Sequence, residues 1–215
     1  WKGNDWYRGD DSRPDHPNGR FSSPLKNCPT LAKNYEEPVP ISAILFGGRR
    51  PNTIPLVHQS YDFEHGIFIG SMMGSEITAA TIDDHIGHVR RDPFAMLPFI
   101  GYNISDYINH WQSFKEKTDE HKLPKIFYVN WFRKDENGYI WPGFKDNIRV
   151  LSWIWDRTEN KKNYHKSAIG YLPDINHFNL EGIDLSKDRL QALFSIDHET
   201  WKNEADLIKS YYQQL

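Results

Sequence analysis

Apolar and polar positions are unevenly patterned along this chain. Residues 1–40 show little periodicity and are punctuated by Asp10, Asp11, Pro14, Pro17, Asn18 and Gly19. Trp1, Trp6, Tyr7 and Phe21 are the rings in that stretch that call for burial. A segment of this length without regular elements predicts a functional loop system, or a piece of a larger sheet. Ile41 to Phe46 is an apolar run ending in Gly47-Gly48, which predicts a buried strand entering a tight turn. Gly66 to Gly70, with Ile67, Phe68 and Ile69 between, predicts a second short strand. Ser75 to Thr81 has small side chains and reads as a helix start or a mobile loop. Tyr107, Trp111 and Phe114 fall at i, i+4 and i+7 and predict an amphipathic helix over about 103–118. Lys125 to Phe132, rich in aromatic and β-branched residues, predicts a strand. Arg133 to Gly138 follows as a turn, with Asn137-Gly138 as a hairpin signal. Val150, Trp153, Ile154 and Arg157 mark a helix starting near Asp146. Trp201, Ala205, Ile208 and Tyr212 share one face of a C-terminal helix with Asp197 as its N-cap. Strands and helices follow one another without regular alternation. The fold class is therefore α/β (mixed α+β), one domain over 1–215 on a mixed sheet with flanking helices.

Composition sharpens this picture. The chain has 215 residues, enough for one sizeable core, and its 38% hydrophobic and 26% charged content fits a globular protein. Eight Trp, eleven Tyr and twelve Phe must fill a core or line a binding surface. A net charge of -3 gives no general attraction to nucleic acid or to an anionic membrane, so a bound anion must be caught by a few placed cations. Cys28 is the single cysteine, which favours a reducing compartment. No apolar run approaches membrane-spanning length.

Four constellations carry candidate chemistry. Gly47-Gly48-Arg49-Arg50-Pro51 places two guanidiniums after a strand-end turn, where their planar forks suit phosphate; a surface turn with two solvated arginines has the same spacing. His16-Pro17-Asn18-Gly19-Arg20-Phe21 offers an amide and a guanidinium to a carboxylate, or is an ordinary Asn-Gly turn. Asn130-Trp131-Phe132 and Tyr139 to Asn147 flank the hairpin, so residues 132 and 139 face each other as a slot for a flat heteroaromatic ring, or belong to an aromatic core. Arg91 to Asn103, stiffened by Pro93 and Pro98, reads as packing beneath a site. Among ten His, His85 and His88 lie three apart, but none has convergent ligand spacing, so no metal site is expected here. There is no GxxxxGK[ST] loop and no GxGxxG.

Taken in order, HPNGRF, FGGRRP, DPFAM, PFIGYN, LPKIFYVNWFRKD and WPGF resemble the C-terminal region of GTP-dependent phosphoenolpyruvate carboxykinases, from about His16 to the C-terminus. Any one of these is weak; six in the right order are highly specific. The resemblance implies the nucleotide-binding C-terminal lobe of that fold. It implies a lyase of gluconeogenesis, a decarboxylase that turns oxaloacetate into an enolate and phosphorylates it from GTP. The products are phosphoenolpyruvate, GDP and carbon dioxide. By the same resemblance, Asn18, Gly19 and Arg20 hold the substrate, with Arg20 on its carboxylate and near the nucleotide's transferred phosphate. Arg49 binds the nucleotide phosphates. Trp131, Phe132, Tyr139 and Phe144 enclose guanine, and Phe144, Lys145, Asp146 and Asn147 contact its edge. Residues 75–91 match a mobile lid, and residues 1–40 carry the carboxylate site.

The family's kinase loop and its manganese (or magnesium) ligands precede this segment. The resemblance therefore implies a metal-dependent parent whose metal ligands lie outside this chain, and an isolated chain without turnover. It also implies a monomer, in the cytoplasm or the mitochondrion, with the missing N-terminal part of the parent as partner. The sequence departs from the family pattern in having Gly74 where that pattern has Arg, and Arg91 where it has His; Gly87-His88 replaces a basic Gly-Lys stretch. Two other readings stay open: a non-catalytic guanine-nucleotide-binding module, and an aromatic-rich interaction domain.

Overall fold

The computed structural model describes residues 3–15, 22–31, 37–77 and 87–214, and divides the chain into two units, 1–40 and 41–215. The first unit is built from local turns. Tyr7 N–H donates to the Asp10 carboxylate at 2.9 Å, and Trp6 Nε1 donates to the Ser12 carbonyl at 2.7 Å. Trp6 and Tyr7 stay 40% and 69% exposed, against the burial expected of them: the local turn already satisfies the indole N–H. Trp1 and Phe21 lie outside the described residues.

The second unit is organised by a five-stranded mixed sheet. Its strands are β1 (Ala43–Gly47), β2 (Val57–Gln59), β5 (Lys125–Val129), β8 (Tyr164–Ser167) and β9 (Gly170–Pro173), in the order β1-β5-β2-β9-β8. β1 lies parallel to β5, and the remaining pairs are antiparallel. β5 is buried on both faces, and its side chains alternate between two cores. Ile126 and Tyr128 join Phe46, Phe63, Ile67, Met72, Phe94 and Ile208 on one side. Phe127 and Val129 join Leu56, Trp141, Val150, Trp153, Ile154 and Leu193 on the other. The first core is covered by α1 (Phe63–Ser71), α2 (Ile104–Gln112) and α6 (His198–Tyr212), the second by α4 (Asn147–Thr158) and α5 (Lys187–Phe194). A short helix α3 (Phe114–Lys117) continues α2 beyond Ser113. Two ribbons flank the sheet: β3 (Gly74–Glu76) with β4 (Val89–Arg91), and β6 (Lys134–Asp135) with β7 (Gly138–Tyr139).

The residues at 66–70, expected as a strand, are the middle of α1. Asp62 caps this helix by accepting the His65 N–H at 2.7 Å. Gly66 and Gly70, one turn apart, let the helix lie close against its neighbours. A Cβ on Gly66 would come within 2.4 Å of Ile126 Cδ1, and one on Gly70 within 2.7 Å of the Phe94 ring. Ser75 and Glu76, expected in a helix start or loop, belong to strand β3.

The connector after β4 differs from plain packing as well. Pro93 and Phe94 are buried, but Met96, Leu97 and Phe99 are exposed. Phe94 and Ala95 both take φ of 55°, in the left-handed region, and the Phe94 ring is held against Phe46, Tyr107 and Trp111. In α6, Glu204 rather than Ala205 fills the buried stripe. No helix among the described residues is long and apolar enough to cross a membrane.

One buried group ties stability to pH. His58, in β2, is fully buried and stacks on Tyr128 with ring centroids 5.8 Å apart. Burial, and secondarily the charge of His65, pushes its pKa from 6.5 down to about 3. The unfolded chain therefore takes up this proton before the folded one does. Stability should fall as pH drops from about 6.5 toward 3, by up to ~1.4 kcal/mol per pH unit. Urea unfolding at pH 7 and pH 5 measures the slope; in His58→Leu this part of the slope should vanish.

Candidate functional site

Segments distant in sequence meet at the carboxyl ends of β1 and β5. Because these strands are parallel, the turns that follow them, residues 48–51 and 130–132, open on the same edge of the sheet. That edge is where α/β sheets place their ligand groups. Asn130 joins the two turns and is fully buried. Its Nδ2 donates to the Arg50 and Ile54 carbonyls, both at 2.7 Å. Its Oδ1 accepts the N–H groups of Arg50 and Phe132, both at 3.2 Å. Gly48 is needed at the turn, since a Cβ there would meet the Gly74 carbonyl at 2.6 Å and the Tyr128 hydroxyl at 2.8 Å.

The two adjacent arginines go opposite ways. Arg49 is half-buried, and its guanidinium lies 5.8 Å from the Phe132 ring centroid. Its backbone is fixed to the β3 strand: its N–H donates to Ser75 Oγ at 3.1 Å, and its carbonyl accepts the Glu76 N–H at 2.8 Å. Arg49 Nε adds a bond to the Glu76 carbonyl at 3.3 Å. Arg50 turns inward and makes a bidentate pair with Glu204 at 2.9 and 2.6 Å. Arg91 donates to the same carboxylate at 2.7 Å and to the Met72 carbonyl at 3.0 Å. Burial alone would raise the Glu204 carboxyl; the bonds and charges of Arg50 and Arg91 outweigh it and hold the pKa below its usual value.

Phe132 and Tyr139 meet across the β6–β7 ribbon with centroids 5.7 Å apart and planes at 74°. They touch edge to face, so the parallel slot expected between them is filled by their own contact. Lys134 Nζ sits 5.2 Å over the Tyr139 ring and 3.5 Å from the Glu76 carboxylate, which links the ribbon back to β3. Arg133 is buried at the ribbon's base, where Nη1 donates to the Ser195 carbonyl at 3.0 Å and burial pushes its pKa down to about 10.

The other sequence-predicted residues divide into groups. Trp131 packs half-buried against the second core. Phe144 is 99% exposed, with φ of 36°. Asn147 Oδ1 accepts from Trp141 Nε1 at 2.8 Å, and Asp146 accepts from Arg149 Nε at 3.0 Å. Lys145 and Asp146 border a cleft of about 410 Å³ with Arg149, Asn179 and Gly182. Asn18, Gly19 and Arg20 lie outside the described residues, as do residues 78–86 of the expected lid. Among the described residues, no three His, Cys, Asp or Glu side chains gather as metal ligands.

The sequence departures at Gly74 and Arg91 have a common geometry. The two residues are opposite each other in the β3–β4 register. A Cβ on Gly74 would meet Val89 Cγ1 at 2.6 Å, and would lie 3.4 Å from Arg91 Nη1 and 3.5 Å from Arg50 Nη1. Val89 of the paired strand thus fills the space into which a side chain at position 74 would grow, with Arg91 and Arg50 at contact distance beside it. Glu204 escaped the sequence reading, and with it the inward roles of Asn130, Arg50 and Arg91. The available signal was Glu204 itself, a carboxylate one turn from Trp201 and Ile208 on the inward stripe of a helix.

The fold and the site together define a mixed α/β lobe that presents an arginine and an aromatic ribbon at a strand-end edge. The sequence profile of one family, described as Phosphoenolpyruvate carboxykinase C-terminal P-loop domain, matches residues 1–215. Among similar curated proteins is Phosphoenolpyruvate carboxykinase [GTP] of Treponema pallidum (strain Nichols), 51% identical over 204 residues, covering 93% of this chain and 33% of that protein. The proteins of the same name from Chlamydia trachomatis serovar D and Chlamydia caviae are 48% and 49% identical over 215 residues, covering 98% of this chain and 35% of each. The chain belongs to the GTP-dependent phosphoenolpyruvate carboxykinase family. It spans about a third of the length of the curated relatives it matches.

Replacing Asn130 tests the joint between the turns. Asn130→Leu keeps the volume but strips partners from two carbonyls and two N–H groups, and should lower stability by ~3 kcal/mol or more in urea unfolding. A loss below about 1 kcal/mol would mean that the two turns are held by something else.

Proposed function

We propose that this chain is the nucleotide-binding portion of a longer GTP-dependent phosphoenolpyruvate carboxykinase. That enzyme would convert oxaloacetate and GTP into phosphoenolpyruvate, GDP and carbon dioxide. The observation that carries the reading is the approach of the Arg49 guanidinium to the Phe132–Tyr139 pair at the carboxyl ends of two parallel strands. A guanidinium suits phosphate through two parallel charge-assisted bonds, and an aromatic ribbon suits a base through stacking. Their juxtaposition matches the two ends of one nucleotide.

In this reading Arg49 holds the nucleotide phosphates, while guanine stacks on the Phe132–Tyr139 ribbon beside Trp131 and Phe144. The Asn147 amide reads the edge of the base; its oxygen is engaged by Trp141, which leaves the Nδ2 donors for the guanine carbonyl. Lys145 and Asp146, which line a cleft with Arg149 and Asn179, contact the edge of the base as well. Asn18, Gly19 and Arg20 take the carboxylate of oxaloacetate or phosphoenolpyruvate, and residues 75–91 close over the reacting groups to exclude water. Phosphoryl transfer asks for positioning and fixed positive charge more than for covalent chemistry, which suits a site built from arginines. A divalent ion assists such transfers, but the described residues offer no ligand set for one, so no step here passes through it. We place the enzyme in the cytoplasm as a monomer, and expect the 215-residue chain by itself to show no turnover.

The test is a tryptophan-fluorescence titration of the full-length protein with GDP and with ADP. GDP should quench saturably and ADP more weakly. Tyr139→Ala should weaken GDP binding by about ten-fold, the scale of one lost stacking contact. Equal affinity for both nucleotides, or a Tyr139→Ala protein that binds GDP as well as the parent does, would remove the base site from these residues.

A further inference from the structure

Arg49 is the residue that faces outward, yet almost everything that fixes it lies behind it. Two walls hold it. One is the turn after β1, which Asn130 and the inward-turned Arg50 anchor. The other is the β3–β4 ribbon, whose Ser75 and Glu76 bond the Arg49 backbone and whose Arg91 reaches inward. The Glu204 carboxylate bonds both walls from behind. The Glu204 carboxylate gives Oε1 and Oε2 to Arg50, and shares Oε1 with Arg91. The Glu204 and Arg50 side chains are both 5% exposed, and that of Arg91 is 11% exposed.

A buried network of this kind is a poor source of net stability, because desolvation offsets most of the attraction. It is effective at fixing geometry, because a bidentate guanidinium–carboxylate pair has few alternative arrangements. Glu204 stands 154 positions from Arg50 and 113 from Arg91, on the last helix of the chain.

We infer that Glu204 is a positioning residue for the phosphate-binding arginine: through Arg50 and Arg91 it sets the spacing of the two walls, and so the direction in which Arg49 presents its guanidinium. This rests on the reading of Arg49 given above. Glu204 itself touches no ligand; it acts through two other side chains and the backbone between them.

The proposal has a sign that separates it from a simple charge effect. Glu204→Gln removes one negative charge from behind Arg49, so electrostatics alone predicts tighter phosphate binding. Loss of positioning predicts weaker binding. The experiment compares GDP with guanosine on the full-length protein by calorimetric or fluorescence titration. Wild type should bind GDP more tightly than guanosine. In Glu204→Gln, GDP affinity should fall by about ten-fold with guanosine affinity unchanged, the order expected when a charge-assisted contact is misdirected.

Arg91→Lys keeps the charge but has a shorter reach, so it cannot keep the bonds that Arg91 Nη1 makes to both Glu204 and the Met72 carbonyl. It should show the same GDP-selective loss, smaller in size, and it decides the matter if Glu204→Gln does not fold. A parallel loss of GDP and guanosine, an unchanged ratio, or tighter GDP binding would each overturn the positioning role. Arg49→Ala is the control for the underlying reading: if it leaves the GDP-to-guanosine ratio at the wild-type value, the phosphate role of Arg49 fails, and that failure is distinct from one confined to Glu204.

Discussion

β5 lies parallel to β1 and is buried on both faces, and the rest of the second unit follows from that placement. A strand with core on each side must be apolar at successive positions, and Ile126, Phe127, Tyr128 and Val129 meet that demand. Two helical layers then become necessary, one for each set of side chains. Parallel pairing has a second effect, because it sends the chain out of β1 and β5 at the same edge. The arginine turn and the aromatic ribbon are thus neighbours in space although about 80 residues separate them, and the buried Asn130 amide completes the pairing that the strands begin.

Much of this was legible in the amino-acid sequence. The dense run at 125–132, whose first five residues form β5 while the last three form the turn after it, the Asn137-Gly138 turn and the 3.6-residue spacing of α4 and α6 each point to the element that forms. The six motifs name the family, which the comparisons then established independently. What stayed hidden shares a physical character. Residues 66–70 form too short an apolar run for periodicity to separate strand from helix, and the glycines that suggested a turn are there for close packing against Ile126 and Phe94. Arg49 and Arg50 are identical in type and adjacent, so nothing local says which faces the interior. That depends on a carboxylate 154 positions away. Rules of short range see propensity and pattern; they do not see a partner from the far end of the chain.

The candidate site is built with unequal firmness. Arg49 is fixed by backbone bonds on both of its sides, whereas Phe144 projects into solvent at 99% exposure. A guanidinium that is already aimed can take an anion without a reorganisation cost. An aromatic ring left in water can adapt to whatever arrives, at the cost of ordering it then. Gly74 adds a lesson about substitution: Val89, on the strand paired with it, fills the room that the glycine leaves, so these two positions are constrained jointly.

The connector beyond β4 carries one more implication. Phe94 and Ala95 stand consecutively in left-handed backbone, a conformation that costs about 1–2 kcal/mol for each residue with a Cβ. The enclosure of the Phe94 ring by Phe46, Tyr107 and Trp111 helps to offset that cost, and these three rings come from β1 and α2. The bend therefore draws on strand and helix together. It converts the docking of α2 into a fixed exit direction for the ribbon that precedes it.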